Sequence, residues 1–169
     1  MHVYFPATLS ELAALVADGA APRGQSSYTA LAVTPTLREA YTHGDDEELA
    51  DIAVRDAALA SLRLLNAEGE GDLPTRRVVV VLDVPEDAVT PRPDLDDAVV
   101  RVKGPIRLSD VVAAYVDNAA AEPAVTAAMA VIDEADLGDE DAELTVGDAQ
   151  DHDLAWYGPS ELPFLLELL

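Results

Sequence analysis

No cysteine occurs among the 169 residues. That absence excludes disulfides, thiolate zinc sites and cysteine nucleophiles. Lysine occurs once, at position 103, and the other nine basic residues are arginine, a bias compatible with a GC-rich genome and with a salt-adapted proteome alike. Large aromatics are scarce, with two Phe and one Trp, so the expected core is aliphatic. No apolar run approaches the roughly 18 residues of a membrane span. The opening MHVYFPATLSEL lacks the basic and long apolar regions of a signal peptide. A cytoplasmic protein is the resulting expectation.

Basic residues are also absent from one whole half of the chain. Residues 108–169 hold fifteen Asp or Glu and no Lys or Arg, against eighteen acids and ten bases in residues 1–107. The formal charge of −23 thus splits into −8 and −15. A pI near 4.1 opposes nucleic-acid binding, which needs clustered cations to displace counterions from phosphates. It also disfavours docking on an anionic membrane leaflet.

What is present is enough for a core. Half of the residues are hydrophobic, which argues against disorder, and the length suits one domain over 1–169. His2–Phe5 reads as a strand ended by Pro6. Thr8 and Glu11 form a capping-box pattern before Leu9, Leu12, Leu15 and Val16 at helical spacing, and Gly19 stops the run. Residues 19–27 make a flexible connection, Tyr28–Val33 a second strand, and Thr34-Pro35 the start of a helix. A long helix is expected over about 46–66, then an acidic Gly-containing loop over 67–75.

Val78–Leu82 is the strongest strand. Five consecutive apolar, mostly β-branched residues imply burial on both faces, as in a central strand. Residues 83–98 read as a Pro- and Asp-rich excursion and 99–102 as a shorter strand. Val111–Val116 fits either a strand or a short helix. Residues 120–135 read as an Ala-rich helix. The stretch 133–153 reads as an acidic loop with at most a short strand at 144–146. Asp153–Tyr157 reads as a final strand, and ELPFLLELL as a terminal helix docked on the body. The expected architecture is an α/β or α+β single domain, with a mixed sheet of five or six strands and packed helices.

Motifs with a chemical mechanism are sparse. An EF-hand register with Gly138 at its sixth position puts Ala135, Leu137 and Leu144 where oxygen ligands belong. His2, His43 and His152 form no H-x-x-x-H pair, so no metal site is assigned. Asp151-His152-Asp153 could orient an imidazole for acid–base work, but neighbours on a strand point to opposite faces. The competing reading is a polar strand entry, and it is favoured. Ser61, Ser109 and Ser160 lack the G-x-S-x-G setting of a serine hydrolase. The glycines match neither a P-loop nor a dinucleotide fingerprint. No catalytic residue and no cofactor are assigned.

Three groups remain. If the strands at 2–5 and 153–157 are neighbours, His2, Tyr4, His152 and Tyr157 could line one ligand cleft with Arg38 and Tyr41. The preferred structural reading is that Phe5 and Trp156 plug the core. Arg101, Lys103 and Arg107 form either acid pairs or an anion patch. Asp133, Glu134, Asp136, Asp139, Glu140, Asp141 and Glu143 form an acidic interaction surface.

The segments VYFPATLSEL, AVTPTLREAY, RRVVVVLDVP, VRVKGPIRLSDVVAAYVD and DHDLAWYGPSELPFLL span nearly the whole chain. Through them the chain resembles an uncharacterised family of small acidic actinobacterial proteins, a domain of unknown function. That resemblance implies a bacterial source and no residue roles. The succession of an apolar strand, V-P-E-D-A-V and G-P-I-R-L-S-D-V-V is similar to the later strands of small ADP-ribosyltransferase-like folds. Those carry ligand-binding residues on early strands, where His2 and Tyr4 are the matching candidates here.

The expectation that follows is a non-enzymatic interaction or regulatory module, engaging a basic protein surface through residues 133–153. The alternative is a small-ligand or transferase domain of the ADP-ribosyltransferase-like type. An exposed apolar face on the C-terminal helix, at Phe164 and Leu165, would instead favour self-association.

Overall fold

Seven strands form one sheet in the order β4-β5-β2-β1-β3-β6-β7, with every paired neighbour among the described residues antiparallel. The computed structural model describes residues 1–23 and 25–169, so Gly24, in the expected connection at 19–27, lies outside the described residues. The strands are β1 (His2–Ala7), β2 (Ser27–Leu31), β3 (Val78–Asp83), β4 (Val89–Pro91), β5 (Val99–Lys103), β6 (Val111–Val116) and β7 (Ala155–Tyr157). The helices are α1 (Leu9–Asp18), α2 (Pro35–Ala40), α3 (Asp46–Glu68), α4 (Glu122–Ala130), α5 (Ile132–Asp136), α6 (Glu140–Gln150) and α7 (Leu162–Glu167). The protein is an α+β domain whose sheet has seven strands rather than five or six. The additional edge strand, β4, comes from the stretch read as an excursion.

Strand β3 lies between β1 and β6, and Val78–Leu82 are all buried. Each such side chain contributes about 1.5–3 kcal/mol by leaving water, before the entropy of ordering the chain is subtracted. Pro6 does not end β1; it sits within the strand, opposite Val79. Its carbonyl accepts from Arg23 Nη2 at 2.7 Å, on the side away from β3. In an extended strand the N–H and C=O of one residue point the same way, so the donor that Pro6 lacks is not one that β3 needs.

The two sheet faces carry different helices. Val3, Phe5 and Ala7 point to the side where Leu9, Leu12 and Leu15 of α1 pack with Leu162 and Leu165 of α7. Tyr4 points to the opposite side, where α3 lies against Val79, Val81 and Ala113. Ala53, Ala57 and Ala58 are buried there, and their small side chains let α3 sit close to the sheet. Further along α3, Leu62 and Leu65 join a third cluster with Val125, Ile132 and Val146 of α4, α5 and α6. Ser61 stands at the seam between these cores. Its hydroxyl accepts from the Val78 N–H at 3.1 Å and donates to the Ala7 carbonyl at 2.7 Å. This serine is a structural tie between α3, β1 and β3.

The acidic stretch 133–153 is not a loop. The end of α5, a turn at Gly138 and the whole of α6 occupy most of it, and Leu144–Val146 are helical. Ala142, Val146 and Ala149 recur at helical spacing on the buried side of α6, and Asp139 caps it by accepting from the Ala142 N–H. Gly138 has φ +94°, a conformation that glycine adopts at low cost.

Candidate functional site

A cleft of about 390 Å³ opens between α3, the strand β6 and the segment 150–154 that runs on from the end of α6. Its polar lining comes from Asp51 and Arg55 on α3, Tyr115 on β6, and His152 and Asp153 in the segment after α6. Ile52, Ala58 and Leu154 supply apolar wall. Asp51 and Arg55 are four residues apart, so α3 presents them one turn apart on the same side. Neither forms an ion pair among the described residues, and neither does Asp153.

At the cleft base lies Arg77, 1% exposed, with its partner Asp117 at 0%. Arg77 Nε donates to Asp117 Oδ2 at 2.9 Å and Nη2 to Asp117 Oδ1 at 2.8 Å. Nη2 also donates to the His152 carbonyl at 2.9 Å, and Nη1 to Gln150 Oε1 at 2.8 Å. Gln150 Nε2 in turn donates to the Arg55 carbonyl. A guanidinium has five N–H donors, so one Nη1 proton has no acceptor among the described residues. The bidentate geometry fixes the guanidinium plane and holds the segment 150–152 against the sheet.

Two phenols stand near Asp51. Burial, followed by the charges of Tyr115 and Asp51, pushes the Tyr4 phenol above its ordinary value. Burial and then Asp51 do the same to Tyr115. Both remain protonated at neutral pH, and neither hydroxyl finds a hydrogen-bond partner among the described residues. A β-bulge between Val81 and Leu82 of β3 and Val111–Ala113 of β6 adds a local twist next to this site.

The six residues expected to share one cleft are divided. His152 lines it, and Tyr4 sits beside it through Tyr115 and Asp51. Tyr41 lines a separate depression with His43 and Glu48, adjoining the cleft at Ile52, which borders both. Arg38 pairs with Asp46, and His2 is exposed at the start of β1. Tyr157 packs against the α1 side of the sheet. The strands β1 and β7 are not neighbours, because β3 and β6 lie between them. Phe5 is core, but Trp156 is 57% exposed on the edge strand β7, opposite Tyr115 of β6. Asp151 and His152 lie in a turn rather than a strand.

Asp51, Arg55, Arg77 and Tyr115 were not singled out by sequence, whereas Asp153 was weighed only as a neighbour of His152. The Asp51/Arg55 spacing resembles any solvated helical pair, and nothing local marks Arg77 as buried.

Of the three bases expected to form a patch, Arg101 and Lys103 share the α3-side face of β5, and Arg101 donates to Thr29 and Ser27 hydroxyls. Arg107 lies beyond Gly104-Pro105, opposite Ala20 in an isolated bridge. On the C-terminal helix Phe164 is exposed and Leu165 is buried, so those two residues do not share an exposed face.

The acids of α5 and α6 have unequal duties. Asp136 forms a bidentate pair with Arg63 of α3, Asp133 accepts from Asn66, and Asp139 is the α6 cap. Arg63 holds the Asp136 carboxyl below the usual range through this hydrogen bond. Glu134, Glu140, Asp141 and Glu143 are exposed, with no ion-pair partner among the described residues. Leu137 and Leu144 stand among them, 89% and 70% exposed.

Fold and site together define an α+β domain with an antiparallel sheet, a polar cleft beneath one long helix and an acidic two-helix face. Residues 1–166 match the model of DUF6912, a family of unknown function, and the chain belongs to that family. No curated protein and no solved structure matches it. No described helix is long and apolar enough to cross a membrane.

Proposed function

We propose that the protein is a non-enzymatic interaction module of the bacterial cytoplasm, which docks on a basic protein surface through α5 and α6. The observation that carries this reading is the pair of exposed leucines, Leu137 and Leu144, set among Glu134, Glu140, Asp141 and Glu143. An acidic face alone would be explained by solvation. Two large apolar side chains within it supply the desolvated contact that a docking surface needs, and the carboxylates supply orientation and partner choice. Asp133, Asp136 and Asp139 serve the fold, which leaves Glu134, Glu140, Asp141 and Glu143 available to a partner.

A synthetic amphipathic Lys/Leu peptide is a suitable probe, titrated by fluorescence anisotropy at several salt concentrations. Binding is expected to weaken as salt rises, and to fall about tenfold or more when Glu134, Glu140 and Glu143 become Gln and Asp141 becomes Asn. Replacing both leucines by Ser should weaken binding at every salt concentration. Equal binding across the salt series, or after neutralisation, would contradict the reading.

The transferase alternative draws no support from the comparisons. Its ligand-binding half draws support from the cleft that joins His152 to Tyr115 and Asp51.

A further inference from the structure

The cleft beneath α3 has no part in the docking reading, yet its groups have the features of a built site. Its volume of about 390 Å³ falls within the roughly 300–1,000 Å³ of small-ligand pockets. Charges of both signs face it without pairing. Asp51 and Arg55 lie one helical turn apart, yet form no ion pair with each other or with any other described residue. Asp153, from the segment after α6, also lines the cleft and has no cation partner among the described residues. Arg77 at the base is neutralised by Asp117, yet keeps one Nη1 proton without an acceptor.

These groups select among ligand classes. A dianion such as a phosphate ester would meet Asp51, Asp153 and a protein of net charge −23, which repel it. A plain ammonium ion would engage only Asp51 and Asp153, leaving Arg55 and the spare Arg77 donor without a ligand partner. A molecule with both charges close together satisfies all of them and adds no net charge. Ile52, Ala58 and Leu154 give its remaining carbons an apolar wall. The protonated Tyr115 phenol is a further donor.

We propose that the cleft binds a small zwitterion of the amino-acid class, with its ammonium between Asp51 and Asp153 and its carboxylate on Arg55 and the spare Arg77 N–H. The site is a binding site, and no reaction is assigned to it.

Backbone amide shifts of Ile52, Tyr115 and Leu154 in an NMR titration read its occupancy. The probes are L-alanine, L-leucine, L-glutamine and γ-aminobutyrate, with butylammonium and butyrate as single-charge controls. At least one zwitterion should give saturable shifts at these amides, at least tenfold tighter than either control. Asp51→Asn and Arg55→Gln should each weaken it about tenfold or more, the scale of one lost charge-assisted hydrogen bond. Both substitutions lie on the exposed surface of α3, and a retained amide spectrum shows that each variant is folded. Glu134→Gln, on the acidic face, should bind like the unaltered protein. No saturable shift with any of the four zwitterions overturns the proposal. So does binding of butylammonium or butyrate as tightly as the best zwitterion, or full retention of affinity in both cleft variants. Loss of peptide docking at α5 and α6 would leave this result unchanged, so the two proposals fail separately.

Discussion

Asp56 shows what crowding acids costs a single residue. It projects from α3 beside Asp96 and Asp97, and its carboxyl lies above the usual range, first through burial and then through Asp96, with Arg55 opposing. A carboxyl raised in the folded state is harder to ionise there than in the unfolded chain. Its ionised form therefore destabilises the fold at pH values above the folded pKa, and that penalty disappears as pH falls below the unfolded value. Asp56→Asn should accordingly stabilise the protein at neutral pH, with the gain shrinking toward zero as acid protonates the native residue. Urea unfolding of both proteins at neutral and mildly acidic pH checks this. A gain that grows on acidification would contradict the assignment. Nothing near Asp56 in the sequence signals its position, because Asp96 and Asp97 arrive by tertiary folding from a segment forty residues away.

Elements were legible where local chemistry and packing agree. The Thr8 capping box and the left-handed Gly19 cap bound α1 as the sequence implies, and the apolar run of β3 occupies the middle of the sheet. The helix α6 was not legible, because eight exposed or half-exposed positions hide the three small apolar residues that pack inward. Trp156 was misplaced because its side chain, on the short edge strand β7, shares a sheet face with Tyr115 where it stays 57% exposed. The Arg77–Asp117 pair was also invisible, since its partners lie forty residues apart. It joins β3 to the end of β6 and to the α6 terminus, so its loss acts on three elements at once. Asp117→Ala should destabilise the protein by about 3–5 kcal/mol, because it strands a buried guanidinium. The expected result is a lower urea midpoint with an unchanged slope. Replacing both partners by apolar residues should cost less than Asp117→Ala alone. A double variant as unstable as the single one would show that the charge imbalance is not the cause.

At the scale of the whole molecule, the excess negative charge is distributed over a folded body. The basic-free half contributes β6, β7 and four helices to the same packed structure. Its acids are therefore held at fixed positions, which gives them a directed field as well as a net charge. Such a field acts mainly on encounter rate, within a screening distance of about 8 Å at physiological salt. The central claim is that the α5–α6 acids speed docking on a basic surface while the two leucines hold the complex. Stopped-flow association with the Lys/Leu peptide, from about 50 mM to about 500 mM salt, tests it most directly. The account predicts an association rate that falls at least tenfold over this range with little change in dissociation, and a uniformly slow rate once Glu134, Glu140, Asp141 and Glu143 are neutralised. An association rate that ignores both salt and neutralisation would contradict it.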